Sequence, residues 1–175
     1  MNKLVTIIII TAAIIGIVVT FFITDRIEVG NEPGMEAIDF TLPMYKEETK
    51  SLSDFFGDVI VLNAWASWCE PCIREMPDLM EIDEEYGNDV TVLTINMQKF
   101  ERTLTDAPEF IEEIGLTLPV FFDEEGKVYE EYHITTGFPR TYVINQEGII
   151  KDVFKGEVNK EMLEHSIEPL LSKRE

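Results

Sequence analysis

Cys69 and Cys72, in the segment Trp68-Cys69-Glu70-Pro71-Cys72, are the only cysteines in a chain of 175 residues. A pair at this spacing can cycle between dithiol and disulfide, and the attacking species in that chemistry is the thiolate. The apolar run Val59 to Ala66 ahead of it reads as a buried strand, and the residues from Cys69 onward read as a helix. Where strand passes into helix, the first sulfur sits on a helix N-terminus, whose unpaired N–H groups and macrodipole favour thiolate over thiol. Cys69 is therefore the predicted nucleophile, and Cys72, one turn inside, the predicted resolving thiol. A zinc site needs four ligands, and the only histidines, His133 and His165, are far apart and not at finger spacing. A structural bridge closing so short a loop would remove little unfolded-state entropy. The reading is a catalytic dithiol with no metal and no cofactor beyond the redox-active Cys69–Cys72 disulfide.

The neighbours divide into tuning and packing candidates. Pro71 fixes φ in a first helical turn, where a missing N–H costs nothing, so it serves as helix starter or redox tuner. Glu70 either disfavours thiolate by its charge, which goes with a more reducing potential, or is a solvated loop carboxylate. Glu75 projects from the same side of the helix as Cys72. On residues alone it reads as an exposed helix side chain or as a partly buried proton acceptor for the resolving thiol. Pro77 is expected to kink the helix, and Met76 and Met80 to pack in the core. Trp65 reads as core and Trp68 as a partly exposed contact surface.

The elements that must position these residues follow the same pattern logic. Val59–Ala66 and Val90–Met97 are nearly all apolar, as central strands covered on both faces are, and Cys69–Tyr86 supplies the crossover helix, stopped by Gly87. A short strand near Phe40–Leu42 and a short helix at Ser53–Phe56 precede them. A helix over Thr105–Ile114, strands over Val120–Asp123, Thr141–Asn145 and Ile149–Phe154, and a last amphipathic helix over Lys160–Leu171 with Asn159 as N-cap follow. A parallel βαβ unit, then a hairpin and a helix, predicts an α/β thioredoxin-like fold with a central mixed sheet flanked by helices.

Leu4 to Ile23 is an uncharged run of 20 residues, enough as a helix to span a bilayer core once. Bulky residues at its end, Thr20-Phe21-Phe22-Ile23-Thr24, favour an uncleaved signal anchor over a cleaved signal peptide. Lys3 against Asp25-Arg26 and Glu28 is a thin positive-inside signal placing the N-terminus in the cytoplasm. The expected organisation is 1–3 cytoplasmic, 4–23 transmembrane anchor, 24–36 linker and 37–175 thioredoxin-like domain, with the cysteines on the extracytoplasmic side, where disulfides persist. The net charge of −20 argues against nucleic-acid binding and describes a highly soluble surface.

The segment Asn63-Ala64-Trp65-Ala66-Ser67-Trp68-Cys69-Glu70-Pro71-Cys72, followed by Arg74-Glu75-Met76-Pro77, resembles the active site of membrane-anchored thiol-disulfide oxidoreductases of the TlpA and ResA type. Ala37–Leu42, Leu52–Gly57, Leu118-Pro119-Val120, Asp123–Lys127 and Gly137-Phe138-Pro139 extend the resemblance over roughly Gly34 to Leu171. It implies reduction of protein disulfides, with the haem-binding cysteines of apocytochrome c as client and a membrane electron donor of the CcdA/DsbD type. It also implies a functional glutamate at Glu75 and a cis-proline at Pro139, which presents the Phe138 backbone to an extended substrate. Relatives commonly carry Thr after this proline. Here Arg140 follows, a cation expected near Cys69 or the substrate groove, where it would partly offset Glu70. Oxidases, reductases of other envelope or spore proteins, and peroxiredoxin-like peroxidases are the alternatives; Asp39–Leu42 is also similar to peroxiredoxins.

Overall fold

The computed structural model describes residues 2–24 and 27–171, with the side chains of 18–24 outside the description. Helix α1, Lys3–Thr24, carries the uncharged run, and its apolar side chains from Leu4 to Ile17 are mostly exposed. Among the described residues no helix is long and apolar enough to cross a membrane, the described side chains of α1 ending at Ile17. Asp25-Arg26, one arm of the predicted charge asymmetry, lies outside the described residues.

Four short strands follow: β1 Val29–Gly30, β2 Glu36–Ala37, β3 Thr41–Leu42 and β4 Lys50–Ser51, paired β1 with β2 and β3 with β4. The main sheet is built from β5 Val59–Trp65, β6 Val90–Asn96, β7 Val120–Phe122, β8 Arg140–Ile144 and β9 Ile150–Lys155, in the order β7-β6-β5-β8-β9. Strand β5 runs parallel to β6 and antiparallel to β8, so the sheet is mixed. Helices α2 Glu70–Tyr86, α3 Asp106–Ile114, α4 Lys127–Glu131 and α5 Lys160–Leu171 cover it.

All seven residues of β5 are buried, which is why the strand shows no polar alternation in sequence. The two-residue period nevertheless sorts them. Val59, Val61 and Trp65 join Cys72, Met76, Leu79 and Ile82 of α2 and Leu163 and Ile167 of α5 in one core layer. Ile60, Leu62 and Ala64 join Phe40, Leu52, Phe121, Tyr132 and Tyr142 in the other. The α2 positions facing the sheet recur every three or four residues, and the helix continues through Pro77 to end on Gly87. Asn159 caps α5 as expected, its Oδ1 accepting from the Met162 N–H at 3.0 Å.

The segment read as a linker is docked over much of its length. Gly34 N–H donates to Ile150 O, the Met35 carbonyl accepts from Ile150 N–H, and the Asn31 amide donates to Tyr132 O. Backbone groups made this pairing, and a polar, glycine-containing stretch carries no side-chain periodicity that announces it. Leu79 is fully buried between α2 and the sheet. Leu79→Ala is expected to lower the unfolding free energy by about 2–5 kcal/mol, read as a lower urea midpoint with an unchanged slope.

Candidate active site

Strand β5 delivers the chain through Ala66-Ser67-Trp68 to Cys69, which is the N-cap of α2 with extended backbone, φ −86° and ψ 101°. Cys69 and Cys72 are joined as a disulfide, the oxidised state of the site, with Cα atoms 5.3 Å apart. The Cys72 N–H donates to Cys69 Sγ at 3.4 Å. That contact puts one of the orphan donors of the helix start onto the sulfur predicted to attack, where in the reduced protein it favours thiolate. Cys69 retains 5% exposure while Cys72 is fully buried, which matches an attacking sulfur above a resolving one.

The loop carrying Trp68 and Cys69 is clamped from the connection after β6. Glu101 accepts from the Ser67 N–H at 2.7 Å, from the Ser67 hydroxyl at 2.6 Å and from the Asn96 amide at 2.7 Å. The Trp68 indole N–H donates to Phe100 O at 2.9 Å, while 47% of the residue stays exposed. Its ring meets Phe138 edge-on at 6.0 Å, and Phe138 packs in turn against Phe100 and Tyr129. Through this contact the loop before β8 is brought against the cysteine segment. The Phe138–Pro139 peptide bond is cis, as the resemblance implied.

Glu75 is fully buried. Its Oε1 accepts from the Asn63 side-chain amide at 2.7 Å and its Oε2 from the Val158 N–H at 2.9 Å. Asn63 also donates to Thr141 Oγ1 at 2.9 Å. Burial pushes the carboxyl up to about 7, against the two hydrogen bonds, which favour the charged form; the Glu157 and Asp78 carboxylates push the same way as burial. Of the two readings open in the sequence, the structure holds the buried one: a carboxyl that exchanges its proton near neutrality, three residues beyond Cys72 and on the same buried face of α2.

Other candidates fall differently. The Glu70 side chain is 86% exposed and lies 3.4 Å from Arg74, so water and a counter-ion screen its charge. This geometry favours the solvated carboxylate over the redox tuner. Pro71 occupies the first turn of α2, as expected of a helix starter. Arg140 is not turned toward α2. Along β8, Thr141 reaches Asn63 and Val143 enters the α2 core layer, so alternation sends Arg140 with Tyr142 and Ile144 to the opposite face. There its Nη2 donates to Thr136 Oγ1 at 2.6 Å, in place of the expected position offsetting Glu70.

Three parts of the site were absent from the sequence-level candidates. Asn63 had a visible signal, a lone amide in a buried apolar strand, since such a group needs a partner. Glu101 and the Val158 N–H had none, because nothing in a polar connection or a backbone amide marks which distant group it meets.

A mixed five-stranded sheet, a Cys-x-x-Cys at the start of a buried helix and a cis-proline loop against it define a thiol-disulfide oxidoreductase of thioredoxin-like fold. Residues 33–153 match the AhpC/TSA family, and the chain belongs to that family. It is 32% identical over 160 residues to the thiol-disulfide oxidoreductase ResA of Geobacillus kaustophilus, covering 91% of this chain and 88% of that one. It is also 32% identical over 141 residues to the thioredoxin-like protein YneN of Bacillus subtilis, covering 81% and 82%. Among solved structures it is similar to a protein from Chlorobium tepidum described as the thiol:disulfide interchange protein DsbE, with a TM-score of 0.72, 28% identity and coverage of 83% and 99%.

Folding raises the Glu75 carboxyl from 4.5 to about 7, so between these values the native state holds a proton that the unfolded chain has released. The stability this supplies is fully present below about pH 4.5 and lost as pH rises through about 7. The stability difference between wild type and Glu75→Gln, measured by urea unfolding with the disulfide intact, is expected to change by on the order of 3 kcal/mol across that window, always against the wild type as pH rises. A difference that stays flat with pH contradicts the assignment.

Proposed function

We propose that this protein is a membrane-anchored reductase that works outside the cytoplasm. It takes electrons from a membrane donor of the CcdA/DsbD type and passes them to disulfides in oxidised protein thiols, with apocytochrome c as the client. The observation that carries the reductase chemistry is the order of the site along α2: Cys69 at the rim, then Cys72 and, a turn further on, Glu75, both fully buried.

In the reduced protein the Cys69 thiolate attacks one sulfur of the substrate disulfide, forming an intermolecular disulfide and expelling the other substrate sulfur as thiolate, which takes a proton from solvent. Cys72, losing its proton with Glu75 as acceptor, then attacks Cys69 Sγ. The intermolecular bond breaks, the second substrate sulfur leaves and is protonated, and the Cys69–Cys72 disulfide forms. Two electrons have passed from the protein's dithiol to the substrate. A carboxyl whose proton exchanges near pH 7 suits that acceptor role, because proton transfer is most effective when the pKa lies near the operating pH. The donor then returns two electrons to the disulfide.

The anchor reading is supported by the uncharged run Leu4 to Ile23 and by α1, whose 22 residues would extend about 33 Å at 1.5 Å each. Exposed Leu4, Ile7, Ile8, Ile14 and Ile15 have no core to enter. The cytochrome reading is supported by the relative named ResA together with the Glu-Pro filling of the motif, and clients in envelope or spore assembly are its alternative.

Cys72→Ser expressed in the native cell is expected to hold substrates on Cys69 as disulfides, and Cys69→Ser to hold none, read on non-reducing gels with identification of the trapped chains. Recovery of polypeptides carrying the haem-binding Cys-x-x-Cys-His motif supports the cytochrome client, and recovery of other envelope proteins replaces it. Glu75→Gln is expected to slow resolution of a preformed mixed disulfide by roughly 10²-fold, measured by stopped-flow at pH 7.

A further inference from the structure

Beside the cis-proline loop lies a cavity walled by Thr136, Gly137, Phe138, Arg140, Lys155 and Gly156. Its two cations face each other: Arg140 and Lys155 are direct cross-strand partners in the β8–β9 register, so their side chains leave the same face of the sheet. Like charges placed directly opposite repel, and a protein of net charge −20 has acidic groups to spare for neutralising them. Yet among the described residues neither forms an ion pair with a carboxylate. Arg140 is only 5% exposed; its Nη2 donates to the Thr136 hydroxyl, the Tyr142 phenol lies against it, both neutral groups, and its Nε has no acceptor. A guanidinium buried to this degree ordinarily has an anionic partner. Of the other cations beside the site, Arg74 and Lys99 are paired with Glu157 and Glu130, and Arg102 shares its cleft with Asp106, Glu109 and Glu113.

The position of the cavity supplies the occupant. Phe138 touches Trp68 on one side and forms a wall of the cavity on the other, so one side chain separates the cysteine segment from the cavity. Gly137 and Gly156, at φ +106° and +110°, would each point a Cβ into open space, leaving the backbone rim of the cavity unobstructed. We propose that the Arg140–Lys155 cavity is a subsite for a carboxylate side chain of the substrate polypeptide, an Asp or Glu lying close in sequence to the cysteine under attack. This rests on the thiol-disulfide reading above and adds to it a preference among substrates. The acidic surface of the protein does not forbid such a ligand, since charges more than about 8 Å away are largely screened at physiological salt. A guanidinium and an ammonium at contact distance then dominate.

The test uses the reduced full-length protein in detergent and synthetic peptides with one internal disulfide, in pairs that differ by Glu or Gln at each position one to four residues from either cysteine. At one position the Glu peptide is expected to be reduced about tenfold faster in kcat/KM than its Gln partner, through KM. Lys155 is exposed, so its replacement leaves the core intact. Lys155→Gln is expected to shrink the Glu preference and Lys155→Glu to reverse it in favour of Gln. Equal rates within every pair, or a Glu preference that survives unchanged in both variants, overturns the subsite while leaving the redox reading standing. If no peptide is reduced at all, the redox reading fails and takes the subsite with it.

Discussion

A carboxyl group cut off from water, and held by donors from two other parts of the chain, is the constraint on which the site depends. Glu75 can be buried only if its oxygens are met, since an unpaired buried acceptor costs on the order of 1–3 kcal/mol. The donors that meet them are the Asn63 amide from the middle of β5 and the Val158 N–H from the turn into α5. Each partner is itself buried and would be penalised alone. The three groups therefore fix α2 along β5 and fix the β9–α5 connection against both. The N-terminus of α2, and with it Cys69 and Cys72, is set by the same register.

Around this buried centre the surface is organised by contrast. The rim beside Cys69 is aromatic, with Trp68, Phe138, Phe100 and Tyr129 in edge or tilted contact. Such rings give contact area to a visiting chain with little loss of side-chain freedom. Beyond the rim the protein is strongly acidic, and several of its cations are held in surface pairs such as Arg74 with Glu157 and Lys160 with Glu81 and Glu85. Exposed pairs of this kind contribute little to stability. Arg140 and Lys155, opposite each other and without a carboxylate partner among the described residues, lie where β8 begins and β9 ends beside the cis-proline loop.

Much of the layered architecture was legible from apolar runs. Val59–Ala66 and Val90–Met97 were read within a residue or so of β5 and β6, because strands covered on both faces leave no ambiguity about burial. The ends of α2 and α3 were marked by Gly87 and Gly115, the latter left-handed at φ +64°. Less was legible wherever backbone groups did the pairing. The stretch 24–36 reads as a linker, yet Gly34 and Met35 bond to Ile150 across the molecule, and the five-residue α4 is too short for a helical period to show.

By itself the sequence determined the chemistry: two thiols at the start of a buried helix, and a strand-helix-strand order that admits few topologies. Those properties are local, set by spacing, propensity and alternation over a few residues. Only the tertiary structure decided which charges matter. It took Glu75 out of water, left Glu70 in it, and turned Arg140 away from α2 to face Lys155. Solvation and electrostatic partnership are properties of the space around a group, and residues 63, 75, 141 and 158 share that space only once the chain has folded.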